Sequence, residues 1–397
     1  MQQLLSKNRA MATLATNLLV LMIAIVLTMI SPLVTQITKE YSLNKIQTGF
    51  IFTSNFIGFT IFILFGGLVA DRFGKKKVLS VTSSLLVLFL LLFSIVPSYL
   101  TACLVVVLIG GACGIIESIA SAWLAELNSK KASMHINISQ IYFGIGALAG
   151  PYVSGLLIEG GWTWRQVYQL TSVLALIVSI YFIVVKVNIL PVNESESVAV
   201  PGLKKLAGNR LLLLLCLCMF LYAGSEIGAW GWMATYMMEK LNFTIVESSL
   251  SVGVFWMAMI VGRMVCTSIL NRFQSRYIII FLAFASAIAT VASGFAATKT
   301  QAWIATILIG LFYSSLWPLI VAYGSEKLQS SSSTIFSLLV GSGGIGSSVI
   351  PIFMGFLGQK FSIKISMVSP AVFLALVAVI FIFIPKMEKS EQKGGLT

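Results

Sequence analysis

The chain has 397 residues, of which 58% are hydrophobic and only 10% are charged, and its formal net charge is +13 at pH 7. Soluble globular proteins carry charged side chains at about a quarter of their positions, so this composition excludes a soluble protein. Apolar stretches recur along the chain, each about as long as the ~20 helical residues that cross a bilayer core of ~30 Å. The chain is therefore predicted to span a membrane many times.

Twelve of these stretches are predicted to be transmembrane helices, because hydrocarbon offers no hydrogen-bond partner to an open strand edge. No segment alternates in the manner of a transmembrane barrel strand. The predicted fold class is an all-α membrane protein. Numbered in chain order, the predicted spans are 14–38, 46–70, 77–97, 100–126, 133–159, 164–189, 210–238, 246–270, 276–298, 300–326, 332–357 and 365–385.

The basic side chains are distributed unevenly over the predicted loops. If both termini face the cytoplasm, 18 of the 26 Lys and Arg lie in inner loops and ends, seven lie in outer loops, and Arg263 lies inside a span. This bias follows the positive-inside rule, so it predicts a multi-pass protein of the plasma membrane with cytoplasmic termini. The excess charge indicates topology and contact with anionic membrane lipid, and no nucleic-acid partner is expected.

Two charged segments reveal an internal repeat. The stretch LVADRFGKKKVL at 68–79 aligns with SILNRFQSRYII at 268–279, at an offset of 200 residues. The same offset, without a gap, places LIG at 108–110 on LIG at 308–310. The chain is therefore predicted to consist of two six-helix halves around a central cavity. The halves are parallel because each contains an even number of helices.

The long polar stretch between the halves contains two prolines and predicts a linker on the cytoplasmic side. The predicted domains are a first six-helix half over 1–190, the linker over 191–209, a second six-helix half over 210–386 and a cytoplasmic tail over 387–397. Two parallel halves with a central site are an arrangement found in secondary transporters.

The first charged segment carries a resemblance to a known family. GGLVADRFGKKKVL at 66–79 resembles the loop signature between the second and third helices of the major facilitator superfamily: Gly, three residues, Asp-Arg, one residue, Gly, then basic residues. The resemblance implies a transporter in which Asp71, Arg72 and Gly74 form part of a gate, a contact between halves that changes with the conformational state. The second copy retains Arg272 but has lost the Asp and the Gly.

Within this superfamily, three segments are similar to the branch of the fucose–proton symporter, which contains sugar transporters. GACGIIESIASAW in span 4 has Glu117 where that branch places a proton-coupling carboxylate. INISQIYFGIG in span 5 has its Asn-x-x-Gln pattern, and LYAGSEIGAW in span 7 resembles its Tyr-x-Gly-x-Gln/Glu pattern. Thr28 stands where the first helix of that branch has an Asp, so no second proton site is expected in span 1.

Two acidic residues, Glu117 in span 4 and Glu226 in span 7, lie near the middle of apolar segments. A charged side chain at the bilayer centre costs about 2.5–3.5 kcal/mol on insertion scales, so each is expected to face a cavity or a partner. Both are predicted proton-coupling residues, and Glu226 is also a predicted ligand for substrate hydroxyl groups. The alternative for each is a neutral acid that hydrogen-bonds a neighbouring helix.

Amide and aromatic side chains within the spans are predicted to bind the substrate. Asn137 and Gln140 are three residues apart and share a face of span 5, and Asn55 lies in span 2. These amides suit a neutral solute with hydroxyl groups; alternatively, they join helices to one another. Trp230 and Trp256 are predicted to stack on the apolar face of a sugar.

Four further residues receive local predictions. Arg263 is predicted to cap a helix end within the gate, although an anionic substrate would make it a ligand, because a guanidinium group forks onto carboxylate or phosphate. Trp162 and Trp164 are predicted to lie at the membrane interface, and Pro318 is predicted to bend span 10. The five cysteines lack the spacing of metal ligands, so neither a metal site nor a disulfide is expected.

The leading hypothesis is a secondary transporter, not an enzyme, that imports a sugar or a similar small polar solute by alternating access with proton coupling. It is expected to act as a monomer on a small-molecule substrate and protons, without a cofactor. The alternative is a proton-driven exporter of drugs or other amphipathic compounds, which would have a mainly apolar cavity. No nucleophile–base pair or phosphate loop supports an enzyme, and no sensory domain supports a receptor.

Overall fold

A computed structural model of the chain describes residues 2–128, 132–185, 209–270, 272–328 and 332–394. All regular secondary structure in these ranges is helical. In chain order the helices are α1 (Gln2–Glu40), α2 (Lys45–Phe73), α3 (Lys75–Ser94), α4 (Tyr99–Leu127), α5 (Ala132–Glu159), α6 (Trp164–Val184), α7 (Arg210–Leu241), α8 (Ile245–Leu270), α9 (Ser275–Gly294), α10 (Lys299–Tyr313), α11 (Leu316–Lys327), α12 (Ser332–Lys360), α13 (Ile363–Val368) and α14 (Pro370–Gly394).

Within the described residues, twelve helical segments are long and apolar enough to cross a membrane, which confirms the predicted all-α fold class. Two of the twelve are interrupted: α10 and α11 share the span Lys299–Lys327, and α13 and α14 share the span Ile363–Ile384. Spans 3 and 9 end at Ser94 and Gly294, earlier than predicted, because the residues that follow form turns.

The bend predicted in span 10 is present. The helix α10 ends at Tyr313 and α11 begins at Leu316, with Ser314 and Ser315 between them. Pro318 is the third residue of α11, in the first turn, where a missing backbone N–H is tolerated. The proline therefore permits a new helix start inside a single membrane span.

Contacts between residues divide the chain into two compact units. The first unit contains Met1–Val198 and Thr244–Gly253, and the second contains Ala199–Phe243 and Val254–Thr397. The predicted linker over 191–209 lies outside the described residues except for Asn209, so the predicted domain bounds remain a prediction.

Each unit is built from long helix pairs. In the first unit α1 packs along α5, α2 along α4 and α3 along α6. The beginning of α8 joins this unit through α5, since a Cβ atom added at Gly253 would overlap Leu148. In the second unit α7 packs along α12 and α9 along α14.

Glycines let paired helices approach at matching places in the two units. A Cβ atom added at Gly110 would overlap the backbone carbonyl of Asn55, and one at Gly310 would overlap the carbonyl of Phe255. These two contacts are related by the 200-residue offset of the repeat. Small residues at such contacts allow close backbone packing in membranes, where helices are not driven together by the hydrophobic effect.

A basic side chain at the start of α3 and its counterpart in α9 join the third and last helices of each unit. Lys76 donates from Nζ to the carbonyl of Val185, which follows α6. Arg276 donates to the carbonyls of Phe381 and Ile382 in α14, each at 2.9 Å. These loop charges therefore cap carbonyls of the last helix in addition to any effect on topology.

Trp164 is buried inside the first unit, whereas Trp162 is exposed. Trp164 is also the first residue of its membrane span, so its interface position stays a prediction. The Trp164 ring packs against Phe93, and its Nε1 donates to Glu40 at the end of α1. The neighbouring Arg165 pairs with the same Glu40 carboxylate at 2.6 Å. Because the indole N–H has a charged acceptor, the large ring is accommodated inside the unit.

Arg165 also connects the ends of α1 and α3. It donates to the carbonyls of Ser94 and Val96, each at 2.9 Å, and to the hydroxyl of Tyr41 at 3.0 Å. The Tyr41 hydroxyl in turn donates to Val96 at 2.9 Å. Burial raises the pKa of Tyr41, so the hydroxyl keeps its proton and its donor role at neutral pH.

The contact between α2 and α4 can be tested with Gly110→Ala. The added methyl group meets the carbonyl of Asn55, so the helices must separate, and overpacking of this kind costs about 1–3 kcal/mol. We expect a lower thermal unfolding midpoint in detergent. Gly67→Ala on α2 is the control, because no heavy atom lies within 4 Å of its added Cβ. Equal midpoints for the two variants would contradict the packing described here.

Candidate functional site

A carboxyl group and an amide meet between α4 and α5. The Gln140 side chain is near enough to Glu117 to act on its carboxyl group, and both residues are half-buried. The Oε2 atom of Glu117 is withdrawn from solvent and has no hydrogen-bond partner. Because a glutamine amide offers both a donor and an acceptor, Gln140 can serve either the carboxylate or the carboxylic acid. The first unit thus contains a carboxyl group with an amide neighbour and one open oxygen.

The other predicted amides of the first unit are not joined to this pair. Asn55 on α2 is buried, and its Oδ1 atom has no partner among the described residues. Asn137 lies on α5 one turn before Gln140, but its side chain is outside the described part of the structure. Asn17 on α1, which the sequence analysis missed, is also buried with an unpaired Oδ1. The sequence feature that could have identified Asn17 is the presence of an amide side chain in the apolar first span.

A second carboxyl group lies in the second unit, on α7. Glu226 is 9% exposed, and Tyr222 lies one turn earlier on the same face of the helix. Arg263 on α8 is near enough to act on it electrostatically. The spacing of four residues could have identified Tyr222 from the sequence, because such residues share a helix face.

The side chains around Glu226 also contact the break in span 10. The Tyr222 hydroxyl donates to the carbonyl of Tyr313 at 2.9 Å, and Nε of Arg263 donates to the carbonyl of Ser314 at 3.0 Å. Both acceptors lie where α10 ends. Arg263, predicted to cap a helix end, thus caps a carbonyl within its own unit.

The two predicted sugar-stacking residues contact one another. The ring centroids of Trp230 and Trp256 are 6.2 Å apart, at an interplanar angle of 53°. Trp230 follows Glu226 by one turn of α7, so the two lie on the same face. Both indole rings are buried. The pair therefore lies inside the second unit, one helix turn from the carboxyl group.

The remaining predicted gate residues lie in the α2–α3 and α8–α9 turns. Asp71 and Arg72 are exposed at the end of α2, and the Arg72 guanidinium lies 5.4 Å from the ring centre of Phe73. Gly74 has a φ of +88°, a conformation that favours glycine, and joins α2 to α3. Arg272 is exposed. None of these charged side chains forms an ion pair with another described residue, so a gating role stays a prediction.

The described residues contain no group of three or more His, Cys, Asp or Glu that could hold a metal ion. The polar groups inside the spans are instead isolated carboxyl groups with amide, hydroxyl or guanidinium neighbours. Twelve membrane spans with such groups embedded in them define a membrane transporter.

A family model for the Major Facilitator Superfamily matches residues 16–344, and the chain belongs to this superfamily. It is therefore a transporter of small molecules and not an enzyme. One curated relative is a "Protein TsgA homolog" of Buchnera aphidicola, 24% identical over 70% of each chain. Another is the "Glucose/mannose transporter GlcP" of Bacillus subtilis, 22% identical over 79% of each chain.

Solved structures share the fold. A bacterial homolog of the human lysosomal transporter Spinster superposes with a TM-score of 0.79 at 14% identity, covering 95% of this chain and 97% of its own. A variant of the E. coli fucose:proton symporter FucP superposes with a TM-score of 0.62 at 17% identity, covering 94% and 98%. The predicted resemblance to the fucose–proton symporter is thus confirmed at the level of the fold.

The contact between Glu117 and Gln140 can be measured with a double-mutant cycle in the unfolding free energy. We expect Glu117→Leu and Gln140→Leu to be non-additive by about 0.5–1.5 kcal/mol, the usual net contribution of one hydrogen bond. The control cycle pairs Glu117→Leu with Gln169→Leu, because Gln169 is exposed on α6. Additive effects in the first cycle would show that the two side chains do not interact.

Proposed function

We propose that the protein imports a sugar, or a similar small polar solute, together with protons across the plasma membrane. It works by alternating access, as a monomer with both termini in the cytoplasm. The observation that carries the proposal is the Glu117–Gln140 pair inside two membrane-spanning helices. A carboxyl group in this setting is a functional feature by default, because it is costly to bury without a task.

The relatives support the choice of substrate class and coupling ion. The curated relative of Bacillus subtilis is named for glucose and mannose, and the E. coli structural neighbour is named a fucose:proton symporter. The basic inner loops support the orientation, because loops rich in Lys and Arg stay on the cytoplasmic side.

In the proposed cycle, Glu117 binds the proton, and Gln140 changes its hydrogen bonding with the protonation state of Glu117. A proton taken up from outside neutralises Glu117, which removes the cost of a buried charge while the solute is bound. Gln140 donates its N–H to the carboxylate, and after a flip of its amide it accepts from the carboxylic acid. The open Oε2 atom is available to the entering proton or to a substrate hydroxyl group. Release of the proton inside then returns the pair to its charged state.

The proposed ligands of the solute are amides, a carboxyl group and indole rings. Hydroxyl groups of the solute are bound by Gln140, Asn137 and Asn55 and by the carboxyl of Glu226. An apolar sugar face stacks on Trp230 and Trp256. The buried Asn55 side chain supports this role, because its unpaired Oδ1 atom lacks a hydrogen bond that buried polar groups normally make.

The proposed gate is the α2–α3 turn with its counterpart between α8 and α9. Asp71 and Arg72 engage a partner in one state of the cycle and are exposed in the other, as they are here. Gly74 gives the turn its shape through its positive φ, and Arg272 provides the retained charge of the second copy. Arg263 acts on the second unit through Ser314.

Transport can be tested in right-side-out and everted vesicles with a panel of labelled sugars and amphipathic dyes. We expect a sugar to accumulate in right-side-out vesicles with an imposed inward proton gradient, and an uncoupler to abolish the accumulation. Vesicles without the protein are the control. Dye efflux that depends on the gradient, with no response for any sugar, would instead establish a drug exporter.

The role of Glu117 can be tested separately with Glu117→Gln. The amide preserves the size of the side chain and a hydrogen bond to Gln140, but it cannot release a proton. We expect net accumulation against a gradient to be lost while exchange of labelled for unlabelled sugar continues. Glu159→Gln, at an exposed carboxyl on the last residue of α5, is the matched control. Accumulation by the Glu117→Gln variant at the wild-type level would exclude this residue as the coupling site.

A further inference from the structure

The break in span 10 leaves backbone carbonyls that need donors. In a continuous helix the carbonyl of Ser314 would accept from the N–H of residue 318, but Pro318 has none. The segment from Tyr313 to Leu316 is buried, with exposures of 4% or less, so water does not supply the missing donor. Each open carbonyl here requires a side chain.

Two side chains supply these donors, and both adjoin Glu226. The Tyr222 hydroxyl donates to the carbonyl of Tyr313, and Nε of Arg263 donates to the carbonyl of Ser314. Tyr222 also lies one turn before Glu226 on the same face of α7, and Arg263 is the charged neighbour of that carboxyl group. One carboxyl group therefore adjoins both caps of the same helix break.

The donors beside Glu226 are engaged elsewhere in this conformation. A tyrosine hydroxyl has one hydrogen, and that of Tyr222 is used on a carbonyl, which can only accept. Tyr222 therefore has no hydrogen to give to a carboxylate at Glu226. A buried carboxyl group without such donors favours its neutral form over its charged form.

The position of Arg263 agrees with a neutral carboxyl group. A deprotonated Glu226 would be a stronger partner for a guanidinium group than a backbone carbonyl, because charge-assisted hydrogen bonds are the strong ones. Yet Arg263 bonds to Ser314, and no ion pair between Arg263 and Glu226 occurs within the described part of the chain.

We propose that Glu226 is a proton-binding residue that controls the helix break at Ser314–Ser315, with Tyr222 and Arg263 as positioning residues. When Glu226 holds its proton, both caps are in place. When the carboxyl group releases the proton to water, the carboxylate draws the O–H of Tyr222 and the guanidinium of Arg263 toward itself. The carbonyls of Tyr313 and Ser314 then lose their donors, and the junction of α10 and α11 must rearrange.

The ionisable side chains around Glu226 indicate that the pH dependence of the helix break comes from the titration of Glu226 itself. Its described electrostatic partners are Tyr222 on α7, Arg263 on α8 and Tyr313 on α10. The helix α12 faces α7 with glycine and apolar side chains, and the 370–384 part of α14 has no ionisable side chain. Among the described side chains, the remaining ionisable groups on helices packed against α7 are Lys299 at the start of α10, Tyr323, Glu326 and Lys327 in the last turns of α11, Lys360 at the end of α12 and Lys364 on α13.

Amide hydrogen exchange on the purified full-length protein tests the proposal without a substrate. Exchange of the 313–319 segment is followed from mildly acidic to mildly alkaline pH, relative to α9 in the same unit. Because protonated Glu226 stabilises the capped break, the wild type should exchange slowly at low pH and faster as pH rises. We expect an increase of about tenfold, the effect of losing one charge-assisted hydrogen bond.

Glu226→Gln distinguishes the proposal from a merely structural role. Its amide has the size of the carboxylic acid but no proton to release, so the segment should remain slow at every pH. Tyr222→Phe removes one cap and should be fast at every pH. Glu159→Gln, at an exposed carboxyl group on α5, is the control and should retain the wild-type profile.

Infrared difference spectra provide a second measurement on the same samples. The band of a protonated carboxylic acid should disappear at the pH where exchange rises, and it should be missing from Glu226→Gln. A pH profile of Glu226→Gln equal to that of the wild type, or a flat profile of Glu159→Gln, would overturn the proposal. The inference rests on the proposed proton-coupled transport, but the two fail separately: absence of sugar uptake leaves the exchange profiles unchanged.

Discussion

A backbone carbonyl that a helix leaves open inside a membrane must find its donor within the protein, because hydrocarbon supplies none. This requirement accounts for the positions of many polar side chains in the structure. The donor–acceptor pairs are Lys76–Val185, Arg276–Phe381, Arg276–Ile382, Arg165–Ser94, Arg165–Val96, Arg263–Ser314, Tyr222–Tyr313, Trp232–Pro351 and Tyr236–Ser293. A chain that is 10% charged thus uses several of its few cations and phenols to close its own backbone.

The duplication makes it possible to see how equivalent positions have diverged. At the 200-residue offset, Glu117 corresponds to Trp317, and the continuous helix α4 corresponds to the broken pair α10 and α11. Close contacts at Gly110 and Gly310 are retained in both copies. The helix packing has therefore been preserved in both copies. At the equivalent position the first copy has the carboxyl group of Glu117, and the second has Trp317 beside the helix break.

Much of the framework could be predicted from the sequence, because membrane spans are determined by local composition. The membrane spans and the bend at Pro318 follow from rules that concern neighbouring residues on one helix. The repeat follows from comparing segments 200 residues apart in the sequence. The shared helix face of Asn137 and Gln140 could likewise be predicted from their spacing in the sequence. The contact of Gln140 with Glu117 could not. That contact depends on how α4 and α5 pack, which no spacing within either helix specifies.

Contacts between helices could not be predicted for the same physical reason. Trp164 follows an outer turn, which is typical of an interface residue, and the approach of Glu40 and Phe93 from other helices buries it. Arg263 was predicted to cap a helix end, but only the packing of α8 on α10 identifies its acceptor as Ser314. Tyr222 was not predicted because its acceptor lies 91 positions away in the chain.

The bond between Lys76 and Val185 also bears on how the protein is made. It connects the third helix of the first unit to the residue that follows its sixth helix, so this closure is complete only when the ribosome has delivered residue 185. Nothing in the bond requires the second half of the chain, and domains generally fold as units during synthesis, the N-terminal one first. The helices α1 to α6 can thus be joined in the membrane before α7 is synthesised, and the Thr244–Gly253 segment of the first unit is added later.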